Sequence, residues 1–100
     1  MPGARGKSRI QATDLDGYFL GAPELAVEVI SPSESAHDVS TKVDLLLKHG
    51  SKAVWVIYAQ LRKVEVHLPN QTAFTRRPGD NLSLPDLLPG WELPVAKLFE

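Results

Sequence analysis

The most restrictive feature of this sequence is the direct succession of a strand-like, a helix-like and a second strand-like segment. The first, "ELAVEVI", is rich in β-branched residues and stops at "SPS", where Pro32 cannot continue a hydrogen-bonded ladder. The second, "SESAHDVSTKVDLLLKHG", carries apolar residues at helical spacing between an N-cap at Ser35 and a stop at Gly50. The third, "KAVWVIYA", is almost continuously apolar, as in a strand covered on both faces. This order predicts a parallel strand pair with a right-handed crossover.

The segments that follow add antiparallel strands. "KVEVHL" alternates apolar and polar residues, and "TAFTRR" predicts a further short strand before the turn at "PGDN". The C-terminal "LSLPDLLPGWELPVAKLF" holds three prolines and short apolar clusters, with one helical turn at "VAKLF". We therefore predict an α/β domain with a mixed sheet over residues 21–100. Residues 1–20 lack sustained periodicity, so a loop or mobile lead-in is expected there.

Composition excludes several classes of protein. One hundred residues suit a single small domain, and a net charge of −1 gives no global basic field for nucleic acid. Cysteine is absent, which excludes disulfides and thiolate zinc sites. The three histidines show no metal-ligand spacing, and the longest apolar run is far shorter than the roughly 20 residues of a membrane span. A soluble, cytoplasmic protein without a membrane partner is the expectation.

Glu28 is the strongest candidate for chemistry because it lies mid-strand between Val27 and Val29, where burying an unpaired carboxylate is costly. The sequence leaves two interpretations open. Either Glu24, Ala26 and Glu28 form a solvent-exposed face of the strand, or Glu28 lines a site.

Lys42, on the following helix, is the natural complement of that carboxylate. Carboxylates that hold Mg²⁺ and a lysine that stabilises negative charge suit metal-assisted phosphodiester cleavage. The structural alternative for Lys42 is an exposed ion pair with Asp38, one helical turn away.

Strand geometry limits which carboxylates can share one metal ion. Glu24 and Glu28 are roughly 13 Å apart along a regular strand, so both can bind one ion only if the strand is bent. A working site needs another carboxylate, about 5 Å away on an adjacent strand. Asp14 and Asp16 are close in sequence, but their surroundings are typical of a loop.

Three segments together resemble the Uma2 family: "GAPELAVEVISPSESAHDVSTK", "HGSKAVWVI" and "LLPGWELPVAKLF". They occur in the family's order, and the resemblance extends over roughly residues 17–100. The resemblance implies a restriction-endonuclease-like fold of the PD-(D/E)XK nuclease superfamily. It also implies Mg²⁺ or Mn²⁺ as cofactor and DNA as partner. Glu28 falls on the metal-binding glutamate of that family, Glu24 on an aspartate at the start of the strand, and Lys42 on an active-site lysine.

The sequence departs from the family pattern at several points. The earlier strand whose aspartate supplies another metal ligand has no counterpart here, so we expect a shortened member lacking the first strands. Leu46 replaces a common tyrosine, and Ala53 and Tyr58 replace acidic residues.

These departures leave more than one function open. The first is a metal-dependent nuclease with Glu28, Lys42 and Glu24 as its site. The alternatives are a non-catalytic binding or assembly module with the same fold, and a domain unrelated to nucleic acid. A sheet edge left open by missing strands would favour a homodimer through that edge.

Overall fold

A computed structural model describes residues 22–100. Its elements in chain order are β1 (Leu25–Val29), α1 (Ala36–Lys48), β2 (Ala53–Tyr58), β3 (Lys63–His67), β4 (Phe74–Arg76), β5 (Asn81–Leu84), β6 (Leu88–Pro94) and a 3₁₀ helix (Val95–Phe99). The expected lead-in over residues 1–20 lies outside the described residues and stays a prediction.

Strands β1 to β4 form one mixed sheet in the order β1-β2-β3-β4. Strand β1 pairs in parallel with β2 across the α1 crossover, whereas β2, β3 and β4 pair antiparallel. The predicted mixed α/β class is confirmed. Glu28 lies opposite Val56 of β2, which in turn lies opposite Glu65 of β3, so these three residues share one face of the sheet.

Helix α1 begins and ends where the sequence predicted. The Ser35 hydroxyl accepts a hydrogen bond from the Asp38 backbone N–H at 3.0 Å, which satisfies one of the free donors of the first turn. After the helix, Gly50 has φ of 113°, a conformation that side chains with a Cβ rarely adopt. The buried helix residues are Val39, Val43 and Leu46.

The sheet separates two apolar clusters. Beneath α1, the helix-facing cluster consists of Ala26, Val39, Val43, Leu46, Val54 and Val56. The opposite cluster consists of Leu25, Ala53, Trp55, Val64, Val66, Leu82, Leu84 and Val95. Alternate residues of β1 and β2 thus point into different cores, which explains why the second strand-like segment is apolar throughout.

The C-terminal region contains a second sheet that the sequence did not predict. Strands β5 and β6 form an antiparallel pair, with an irregularity between Ser83 and Leu84. Prolines argued against strands here, but a two-stranded sheet consists only of edges, where a missing N–H is tolerated. The predicted final helical turn is confirmed as the 3₁₀ helix, whose Val95 is buried. No helix within residues 22–100 is long and apolar enough to cross a membrane.

Candidate functional site

Glu28 is buried beneath helix α1. It lies on the helix-covered face of β1 and is 1% exposed. The interpretation of Glu24, Ala26 and Glu28 as a solvent-exposed face is therefore wrong, because α1 packs over that face. Among the described residues, neither carboxylate oxygen of Glu28 has a hydrogen-bond partner.

The surroundings of Glu28 disfavour its charged form. Burial raises the pKa of Glu28 to about 7, the nearby Lys42 ammonium lowers it, and the Glu34 carboxylate raises it. An apolar side chain would fill the same volume without this desolvation cost. A buried carboxylate without a hydrogen bond is therefore more typical of a functional site than of a packing position.

Lys42 extends from α1 towards the end of β1 that carries Glu28. Its Nζ donates to Oε2 of Glu34 at 2.8 Å, in an ion pair whose two side chains are about a quarter exposed. This hydrogen bond is the main reason that the pKa of Lys42 is raised, with further support from the charges of Glu34, Glu28 and Asp38. Lys42 thus pairs with Glu34, and the alternative of a pair with Asp38 is wrong.

Glu34 is the residue of this site that sequence reasoning missed. It lies in the turn between β1 and α1, and its Oε1 accepts a hydrogen bond from the Ser31 backbone N–H at 3.2 Å. The bond from Lys42 is the main cause that lowers the pKa of Glu34. A signal was available, because the turn after a parallel strand places side chains at its carboxyl end, where α/β sheets bind ligands.

Glu24 lies at the other end of β1. Its backbone oxygen accepts hydrogen bonds from the N–H groups of Lys52, at 2.8 Å, and Ala53, at 3.2 Å. Glu24 also lines an apolar groove of about 540 Å³ that contains Trp55 and Trp91. The structure therefore does not bring Glu24 beside Glu28, and its predicted metal role stays a prediction.

The residues that depart from the family pattern have structural surroundings of their own. Leu46 and Ala53 are buried in the helix-facing and opposite clusters, respectively. The Tyr58 hydroxyl donates to Oε1 of Glu65 at 3.4 Å, and Nε2 of His67 lies 3.3 Å from the same oxygen. Asp14 and Asp16 lie outside the described residues.

The oxygen atoms at the carboxyl end of β1 suit a hard divalent cation. Glu28 provides a carboxylate without a protein partner, and Glu34 provides a second carboxylate close by. Within residues 22–100 there is no group of three or more His, Cys, Asp or Glu side chains arranged to hold a metal. Mg²⁺ commonly takes one or two protein carboxylates and completes its coordination with water and phosphate, so the residues present fit it.

Comparison with known proteins identifies the family of the chain. The family model of Uma2, described as "Putative restriction endonuclease", matches residues 4–96. The chain belongs to the Uma2 family. The resemblance inferred from the sequence is thereby confirmed. No curated protein matches the sequence.

A solved structure confirms the fold. A crystal structure from Anabaena variabilis ATCC 29413, described as "a putative nuclease belonging to DUF820", superposes with a TM-score of 0.70 and 28% sequence identity. The match covers 79% of this chain and 45% of that one. This Uma2 domain thus has the fold of a protein described as a putative nuclease, and the match spans less than half the length of that protein.

Proposed function

We propose that this Uma2 domain hydrolyses DNA phosphodiester bonds with Mg²⁺ or Mn²⁺ as cofactor. The observation that carries the proposal is the buried Glu28 carboxylate, which has no hydrogen-bond partner among the described residues and lies near the Lys42 ammonium. The family and the solved relative support nuclease chemistry as the class of reaction.

Glu28 and Lys42 divide the work of such a site. Glu28 holds the metal through a carboxylate oxygen, and its burial keeps competing water away from that contact. When bound there, Mg²⁺ would supply Lewis acidity, which would activate water and neutralise charge on the phosphate. Lys42 stabilises negative charge developing on the phosphate oxygens. Its backbone is held in α1, and its side chain extends from the helix so that the ammonium reaches the site.

The alternative function is a non-catalytic binding or assembly module with the same fold. The observation favouring it is that residues 22–100 contain no group of three or more His, Cys, Asp or Glu side chains arranged to hold a metal. In such a module, Glu28 would be an inherited carboxylate without a metal.

A homodimer through the edge of the sheet is part of the proposal. Among the described residues β1 is an outer strand, and Val29 at its end is 58% exposed. An uncovered strand edge favours pairing with another chain. Sedimentation of wild type and Val29→Lys tests this: a dimer that the lysine weakens is expected, and a wild-type monomer at all concentrations would contradict it.

DNA cleavage assays decide between enzyme and module. Wild type, Glu28→Gln and Lys42→Met are incubated with supercoiled and single-stranded DNA in Mg²⁺ or Mn²⁺, with Asp44→Asn on the exposed face of α1 as matched control. We expect cleavage by wild type and Asp44→Asn, and losses of at least about 100-fold in the two site variants. Folded wild-type protein without metal-dependent cleavage would refute the nuclease and favour the module.

A further inference from the structure

We propose that Glu34 supplies the second carboxylate of the divalent-cation site, and that the Lys42 ammonium neutralises this carboxylate in the metal-free protein. The inference rests on the proposed function and names a ligand at the same site. Neither a sequence motif nor the comparisons assign any role to Glu34.

Both oxygens of Glu34 are held in place. Oε1 accepts from the Ser31 backbone N–H at 3.2 Å, and Oε2 accepts from Lys42 Nζ at 2.8 Å. The side chain is 25% exposed, so the carboxylate can be reached from solvent. Glu34 therefore offers a fixed carboxylate that solvent can reach, whereas the carboxylate of Glu28 is buried.

Glu28 provides the independent observation that a ligand belongs here. Its carboxylate is 1% exposed and unpartnered among the described residues. It lies close enough to Glu34 and Lys42 for both charges to act on it. When all three groups are ionised, two carboxylates and one ammonium carry a net charge of −1. A divalent cation can take the place of the ammonium and compensate the charge of the two carboxylates.

Among residues 22–100, Glu24 and Glu65 are less suited to the role. Glu24 belongs to the opposite end of β1, roughly 13 Å along the strand from Glu28. Glu65 lies on the same face but two strands away, roughly 10 Å from Glu28 between backbones, and Tyr58 and His67 contact its Oε1. Glu34 is therefore the carboxylate that the geometry favours.

The test is calorimetric titration of the full 100-residue chain with Mn²⁺. The variants are Glu34→Gln and Glu28→Gln, and Asp38→Asn is the matched control because it also removes one negative charge that acts on Lys42. We expect Glu34→Gln to weaken Mn²⁺ binding by about tenfold or more, as for other residues that support metal sites. Asp38→Asn should change it by less than about twofold, because solvent screens an exposed charge.

Lys42→Met gives a second readout that does not depend on catalysis. If the ammonium neutralises the carboxylate in the metal-free protein, removing it frees Glu34 and strengthens Mn²⁺ binding. Weaker Mn²⁺ binding by folded Lys42→Met would overturn the inference.

The outcomes separate this inference from the proposed nuclease. Equal Mn²⁺ affinity of Glu34→Gln and wild type overturns the role of Glu34 and leaves a site based on Glu28 intact. Weakened binding in Glu34→Gln together with no DNA cleavage by wild type supports the cation site and contradicts the nuclease. No saturable binding by wild type at millimolar Mn²⁺ overturns both.

Discussion

The two faces of the four-stranded sheet are built from alternate residues of the same strands, yet they bury different kinds of side chain. On the face away from α1, Leu25 and Trp55 pack in a cluster with Leu82 of β5, and the rings of Trp55 and Trp91 stack with centroids 6.4 Å apart. The one buried polar side-chain atom without a hydrogen-bond partner in this cluster, among the described residues, is the neutral Nε1 of Trp55. On the helix-covered face, Glu28 lies among apolar residues with no hydrogen bond to its carboxylate from the described residues.

This difference between the two faces distinguishes residues that stabilise the fold by packing from residues that serve chemistry at a cost in stability. Hydrophobic burial accounts for the face away from α1 except for the unpartnered Nε1 of Trp55, a neutral group that costs less to desolvate than a carboxylate. It does not account for Glu28, because desolvating a carboxylate opposes folding. Replacing a buried apolar residue on the face away from α1 should therefore lower the free energy of unfolding, whereas replacing Glu28 by an apolar residue should raise it.

The largest effect is expected on the face away from α1. Leu82→Ala removes a side chain that is 1% exposed and should lower the free energy of unfolding by about 2–5 kcal/mol, through lost transfer energy and the cavity left behind. Urea denaturation measures it. Leu88→Ala, on the half-exposed side of the groove, is the control and should cost under about 1 kcal/mol. Equal losses in both variants would mean that Leu82 is not part of a close-packed core.

Replacing the buried carboxylate should have the opposite sign. Glu28→Met fills a similar volume without a charge, so above pH 7 it should raise the free energy of unfolding by about 1–4 kcal/mol. The same variant should lose Mn²⁺ binding, which calorimetry measures. A destabilised Glu28→Met would show that the carboxylate has stabilising partners, and would remove the contrast between the two faces.

The pH dependence of stability should report the same carboxylate. The folded pKa of about 7 exceeds the ordinary value of 4.5, so the folded chain binds more protons between these values. Stability should therefore fall as pH rises from 4.5 to 7, by about 1–3 kcal/mol for this group. The difference between wild type and Glu28→Met in urea denaturation isolates it. A difference independent of pH over this window would place the pKa of Glu28 near its ordinary value.

The smallest change in stability is expected at Lys42. Its ion pair with Glu34 is partly exposed, so Lys42→Met should change the free energy of unfolding by less than about 1 kcal/mol. Thermal unfolding measures this change, and DNA cleavage by the same protein should be strongly reduced. A large loss of stability in Lys42→Met would mean that Lys42 is kept for the fold.

Much of the fold follows from local sequence. Ser35 and Gly50 mark the ends of α1 because capping and a positive φ are properties of single residues. The β5–β6 pair was missed because its strands depend on each other and on burial of Leu82 and Leu84, which proline-rich segments do not reveal.

The site was predicted in part. Glu28 and Lys42 were found because a charged residue inside an apolar strand and a lysine on the next helix can be recognised from the order of residues in the sequence. Whether α1 covers Glu28 depends on packing across the sheet, so its burial could not be read from the strand alone. Glu34 was missed because only the turn between β1 and α1 brings it to Lys42.

The measurement that tests the central claim most directly is ¹³C NMR of the Glu28 side-chain carboxyl carbon, followed through pH and Mg²⁺ titrations. Glu28→Gln assigns the resonance. A pKa of about 7 without metal, and a saturable shift of this resonance on adding Mg²⁺, are the predicted results. A pKa near 4.5 and no response to millimolar Mg²⁺ would contradict the assignment of Glu28 as a buried metal ligand.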